Sequence, residues 1–282
     1  MITTHTGQRQ KGVVLIVVLW VLALLMILLA AFSTSVRIDR QISSELVQRA
    51  QARAGMDAAL AYLAAIQKIG GETWTGLKGQ VFILPLPSGR VRFRLIPEEA
   101  YLSLTGAPED LLRMLISGLA SEQTDLETAI RSLLDRRLPQ QTGSAADDTS
   151  NPTKQPMHAT EELLLLPGFD RPLVERMTPF VTVDSAHTGL AVNFSSPELL
   201  GLITGDPRIV AALQSAPEGS MDDAAFNPGF ATAPAGRIFR LQVEVGEDQQ
   251  RRKAEVTVIF GEGSEDYQVV RWNEYNPRFD LD

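Results

Sequence analysis

The sequence predicts an α+β fold: one long N-terminal helix packed on a small antiparallel sheet, with a large, mainly helical insertion between the strands. Three observations predict it. A stretch from Val13 to Ile69 contains no proline and only one glycine, Gly55. Segments alternating with a period of two occur at 80–96 and again at 237–272. Between them lies a region of about 140 residues whose apolar positions recur at helical spacing.

The first element begins with a run of twenty residues without a charge, Val13–Phe32. At 1.5 Å per residue such a helix spans ~30 Å, the thickness of a bilayer's hydrocarbon core. Three readings fit it. A secretory signal cut near Ala31-Phe32-Ser33 needs only a short apolar core, and this run is long for one. A plain signal anchor is the second. The third rests on Lys11-Gly12 standing directly before the apolar run, with the basic, polar stretch Arg9-Gln10 ahead of it. Counting positive charges does not choose an orientation: Arg9 and Lys11 lie on one side, Arg37, Arg40, Arg49 and Arg53 on the other.

Beyond Phe32 the pattern becomes amphipathic. Ile38, Ile42, Leu46, Met56, Leu60 and Leu63 recur at three- and four-residue steps or sums of them, with Arg40, Glu45, Gln48 and Gln51 on other faces. A helix over 13–66 reaches ~80 Å, and Gly70-Gly71 is its first firm stop. The later part of the stripe is expected to pack on the sheet, the earlier part on neighbouring molecules.

The sheet follows. Gln80–Leu84 and Arg90–Ile96 flank the turn Pro85-Leu86-Pro87-Ser88-Gly89, with Val91, Phe93 and Leu95 on one face. Arg237–Val245, Ala254–Phe260 and Tyr267–Trp272 alternate in the same way, giving about five antiparallel strands with one face for the helix to cover. Between them, Pro97 to Gly236 is the insertion. Leu111, Leu112, Leu115, Ile116 and Leu119 mark one helix, and Leu126, Ile130, Leu133 and Leu134 a second. Pro139–Ala159 is polar and reads as a flexible loop. Helical signals return at Glu161–Leu166, Pro172–Met177 and Pro197–Ile203.

Composition narrows the function. The chain has 282 residues, enough for one or two globular units, and 44% are apolar. Its net charge of −8 repels phosphate backbones and argues against nucleic acid as a partner. With no cysteine there are no disulfides and no thiolate metal sites. The three histidines, His5, His158 and His187, form no metal-binding pair, and neither a nucleophile elbow nor a phosphate-binding glycine loop occurs. Catalysis is not expected.

Several stretches carry a family resemblance. Lys11-Gly12 before the apolar run resembles the class III leader of type IV pilins and pseudopilins, which a prepilin peptidase cuts after the glycine. Leu163–Gly168 (Leu-Leu-Leu-Leu-Pro-Gly), Pro179–Val183 (Pro-Phe-Val-Thr-Val) and Val192-Asn193 resemble, in order and spacing, the second helical repeat of the type II secretion system minor pseudopilin K family, also called the general secretion pathway protein K family. Arg271-Trp272-Asn273-Glu274 is similar to that family's terminal region. The resemblance spans nearly the whole chain.

It implies a leader at 1–12, a transmembrane helix at 13–35, a periplasmic helix half at 36–69, a pilin-like sheet from 70–96 and 237–282, and an insertion domain at 97–236 with its flexible loop at 139–159. Cleavage between Gly12 and Val13, with methylation of the new amine, would leave the helix anchored in the inner membrane and the remainder in the periplasm. Val17 would then stand at the fifth mature position, where most pseudopilins carry a glutamate. A charge there costs ~2.5–3.5 kcal/mol or more unless a neighbour's amine pairs with it. A subunit at the fibre tip has no earlier neighbour, and the family characteristically lacks that glutamate.

The implied partners are the I- and J-type minor pseudopilins, the major pseudopilin and the prepilin peptidase, with Val17, Ile38, Ile42 and Leu46 as assembly contacts. The implied function is to form the pseudopilus tip and start fibre assembly for export of folded proteins. No cofactor is required. The family's heads can bind calcium near acidic loops, and here Asp147-Asp148, flanked by Asp135 and Glu161, read as a solvated acidic patch. Two alternatives stay open: a minor pilin of a type IV or DNA-uptake pilus, and a signal-anchored periplasmic protein of other function. The turn Leu165–Leu173 also resembles a helix-hairpin-helix, but its second glycine is missing and Arg171 and Arg176 lie in an acidic background.

Overall fold

The computed structural model describes residues 10–86, 89–121, 124–137, 157–215, 228–234, 236–246, 251–261, 267–274, 279 and 281. The chain divides into two compact units, Met1–Ala54 and Gly55–Asp282. One helix, α1, runs from Gln10 to Ile69 and belongs to both. It ends where Gly70 and Gly71 take φ of 66° and 64°, values that side chains with a Cβ rarely adopt.

In the first unit, the described side chains at 14–30 are all exposed. Among the described residues no helix is long and apolar enough to cross a membrane. The side chains of 13 and 31, inside the apolar run, are not among those described.

In the second unit the fold is an α+β arrangement on a five-stranded antiparallel sheet. Its strands are β1 (Val81–Leu86), β2 (Gly89–Pro97), β5 (Ile238–Val245), β6 (Arg252–Phe260) and β7 (Tyr267–Asn273), in the order β1-β2-β5-β6-β7. The strands from the two ends of the sequence therefore meet at β2 and β5, Phe93 opposite Val243 and Leu95 opposite Leu241. One sheet face is apolar: Val91, Phe93, Leu95, Leu241, Val243, Ala254 and Val256 are buried. The last turns of α1 supply Met56, Ala59, Leu60 and Leu63, also buried, and Tyr62 meets Phe93 edge-on at 6.1 Å. Gly55 explains how closely the backbone approaches: a Cβ there would lie 3.0 Å from methyl carbons of Val91 and Val245. A short helix, α2 (Gly71–Leu77), sets Trp74 edge-on against Phe239 and Phe260.

The insertion leaves the sheet through a 3-10 turn at Glu98–Ala100 and returns at β5. It holds β3 (Leu102–Ser103) paired in parallel with β4 (Val181–Thr182), and helices α3 (Glu109–Leu119), α4 (Leu126–Arg137), α5 (Arg171–Met177), α6 (Pro197–Thr204) and α7 (Pro207–Ser215). Its core includes Leu111, Leu112, Leu115, Ile116, Ile130 and Leu133 of the periodic positions, while Leu119, Leu126 and Leu134 are only partly buried against it. The Glu161–Leu166 signal forms a 3-10 helix, Thr160–Leu165. Of the expected loop at 139–159, residues 139–156 lie outside the described residues, and Asp147-Asp148 with them.

Candidate assembly surface and buried charge network

Two features carry functional chemistry, one in each unit. In the first unit, Val17, Ile42, Leu46 and Val47 are each more than half exposed. An α-helix places positions 42 and 46 on one face, so two exposed apolar side chains stand together there. The side chain of Ile38, the first member of the predicted stripe, lies outside those described, and so do the surroundings of Gly12 and Val13, the predicted cleavage pair.

In the second unit, the face of the sheet opposite α1 is charged. Strand register puts Arg92 and Arg94 of β2 opposite Glu244 and Gln242 of β5, and Glu244, Gln242 and Arg240 opposite Lys253, Glu255 and Thr257 of β6. Glu244 is buried and faces three cations, Lys253 at 3.0 Å, Arg92 at 3.5 Å and Arg251 at 3.8 Å. The insertion fastens to this face. Glu98 accepts a hydrogen bond from Arg240 at 2.6 Å, and the Tyr101 ring stacks on the same guanidinium at 3.7 Å. Burial opposes the charge on Arg240, but Glu98, Tyr101 and Glu255 together hold its pKa above the ordinary arginine value. Burial also pushes the Tyr101 hydroxyl up to about 12.

Asp184, on the loop after β4, pairs with Arg271 of β7 at 3.0 Å. Its carboxyl is nonetheless raised above the usual aspartate range, because burial outweighs Arg271. Glu99 accepts from the Gly236 N–H at 2.6 Å where the insertion rejoins the sheet. This network was not among the sequence candidates. The only signal for it was the charge at alternate positions of β2 and β5, and naming the pairs needs the register.

The helix-hairpin-helix resemblance resolves into packing. Gly168, at φ 89°, leaves room for α4: a Cβ would lie 2.5 Å from the Ala129 nitrogen. Asp170 then caps α5, accepting from the Leu173 N–H at 2.8 Å, so the helix N–H groups meet a carboxylate of their own chain. His187 bonds the Tyr101 carbonyl at 2.8 Å and Ser185 at 3.1 Å. Among the described residues, no group of three or more His, Asp and Glu is placed to hold a metal ion.

A long N-terminal helix, an antiparallel sheet in which the N-terminal hairpin joins the C-terminal strands through β2 and β5, and a helical insertion between them define a pilin-like fold with an inserted domain. The solved structures similar to it include the GspK chain in the crystal structure of the GspK-GspI-GspJ complex from the enterotoxigenic Escherichia coli type 2 secretion system. The TM-score is 0.56 at 15% identity, and the match covers 84% of this chain and 100% of that one. The two share a fold. No protein-family model matches the chain, and no curated protein does.

Proposed function

We propose that this chain is a minor pseudopilin of a type II protein secretion system. The fold shared with GspK across all of that chain, insertion included, is the observation that carries the reading. The Lys11-Gly12 junction before Val13 supports it: cleavage after Gly12 leaves an apolar helix to hold the protein in the inner membrane, with the C-terminal unit in the periplasm. Val17 supports a place at the fibre tip, where no neighbour's amine calls for a carboxylate. The similar chain was solved with GspI and GspJ, and we take the equivalent minor pseudopilins as partners, met through the helix face that carries Ile42 and Leu46. In this reading the chain starts or controls fibre assembly, and catalysis belongs to other components. Calcium remains a candidate ligand, with no residues assigned to it.

The test is the intact mass and N-terminus of the protein from cells with and without an active prepilin peptidase. A peptidase-dependent start at Val13, methylated or not, is expected. An intact leader defines a signal anchor, and a cut near Ser33 a secreted protein; either result removes the pseudopilin reading. Recovery of the cut protein from surface pili instead of the secretion apparatus moves it to a type IV pilus.

A further inference from the structure

On the charged sheet face Arg94 of β2, half-buried, has no carboxylate against it among the described residues. Its Nε and Nη2 both donate to the Gln242 Oε1, at 3.1 and 2.8 Å. The Gln242 amide is itself held, donating from Nε2 to Glu255 at 3.4 Å. The guanidinium is therefore fixed in orientation, and N–H groups not used on Gln242 remain to donate.

Arg94 lines a cleft of about 590 Å³ between the sheet and the insertion. The cleft falls in the size range of small-ligand sites, roughly 300–1,000 Å³. Four aromatic residues, Tyr101, Phe180, Phe194 and Phe279, line it together with Arg94, Gln242 and the polar Asn193 and Ser196. Gly79, at φ 76°, makes room for one wall, since a Cβ there would come 2.9 Å from the Phe194 ring. The exposed Glu198 also lines the cleft and is the one carboxylate among its described lining residues. A fixed planar cation with spare donors selects a carboxylate, which it can grip with two parallel hydrogen bonds. Rings on the walls select an aromatic or branched apolar body next to that carboxylate.

We propose that this cleft binds a polypeptide carboxylate flanked by an aromatic or branched apolar side chain. The inference stands on the cleft alone and does not rest on the secretion reading. The carboxylate comes either from a chain's C-terminus or from a Glu or Asp side chain, and the experiment separates the two. The full chain in detergent micelles is titrated by saturation-transfer NMR with three probes: N-acetyl-leucyl-phenylalanine, N-acetyl-glutamyl-phenylalanine amide and the neutral N-acetyl-leucyl-phenylalanine amide. Saturable binding of the first identifies a chain end as the source, and of the second a side chain. The neutral probe is expected to bind about tenfold more weakly than the better anionic one, the worth of one charge-assisted pair. Arg94→Gln is expected to weaken the anionic probe by a similar factor, and Arg94→Lys by less. Three results each overturn the proposal: no saturable binding of either anionic probe up to about 10 mM, a range that reaches weak sites; equal binding of the neutral probe; or unchanged binding to a folded Arg94→Gln variant. The neutral-probe comparison uses the unaltered protein, so it decides the matter even if the variant misfolds.

Discussion

Arg240 joins Glu98 and the Tyr101 ring at the start of the insertion to Glu255 on β6, more than 150 positions away. Glu98 is fully buried, with one carboxylate oxygen lacking any hydrogen-bond partner. Removing the arginine strands that charge out of water, which costs about 3–5 kcal/mol for a buried pair. Arg240→Met is therefore expected to lower stability by about 3 kcal/mol, read as a drop in the urea midpoint at unchanged slope. Asp184 behaves differently. Its folded pKa lies above the ordinary aspartate value of 3.8, so the fold favours the protonated form. Its contribution to stability is fully present below pH 3.8 and is lost as pH rises through the raised folded value. Asp184→Asn should thus gain stability relative to the parent as pH rises and match it in acid. Urea midpoints taken across the acid limb check this; a variant that loses most at neutral pH would contradict it.

At the scale of elements, two glycines set distances between packed backbones. Gly168 lets the Leu163–Gly168 turn sit against α4, and its φ of 89° excludes most side chains. Gly168→Ala is expected to cost about 3 kcal/mol from strain and overlap with the Ala129 backbone. Gly55 lets α1 approach the Val91 and Val245 methyls. There Gly55→Leu should cost about 1–3 kcal/mol by overpacking. Alanine at 55 is a closer balance, because its Cβ meets side-chain methyls at 3.0 Å and gains helix propensity. Chemical denaturation of both leucine and alanine variants measures the difference; a leucine variant as stable as the parent would mean the helix does not need the close approach.

At the scale of the whole molecule, the same helix carries two kinds of apolar surface. Met56, Leu60 and Leu63 are buried in the second unit, while Ile42 and Leu46 in the first are exposed. If the exposed face is where neighbouring subunits dock, Leu46→Asp impairs fibre assembly and secretion while the second unit keeps its unfolding transition. Normal assembly of that variant would assign the contact elsewhere. Gly79 and Arg94 belong to the other end of the problem, a cleft that no single segment forms and that takes lining from β2, β5 and the insertion.

The sequence by itself determined the class of fold, because hydrophobic periodicity is a local property. A spacing of three and four residues wrote α1 and the helices α3 and α4, alternation wrote the five strands, and Gly70-Gly71 wrote the end of α1. It also supplied the stripe Ile38, Ile42 and Leu46 as candidate contacts, since an apolar stripe on a helix is visible without its partner, whereas Val17 came from the family resemblance. It did not show α2 or the β3–β4 pair, whose seven- and two-residue lengths fall below what periodicity resolves. Only the tertiary structure decided which charges meet. Arg240 finds Glu98 across 142 positions, and Arg94 finds Gln242 across 148. Those pairings follow from strand register and from the path of the insertion, and a charge at an alternating position carries no information about the residue that will face it.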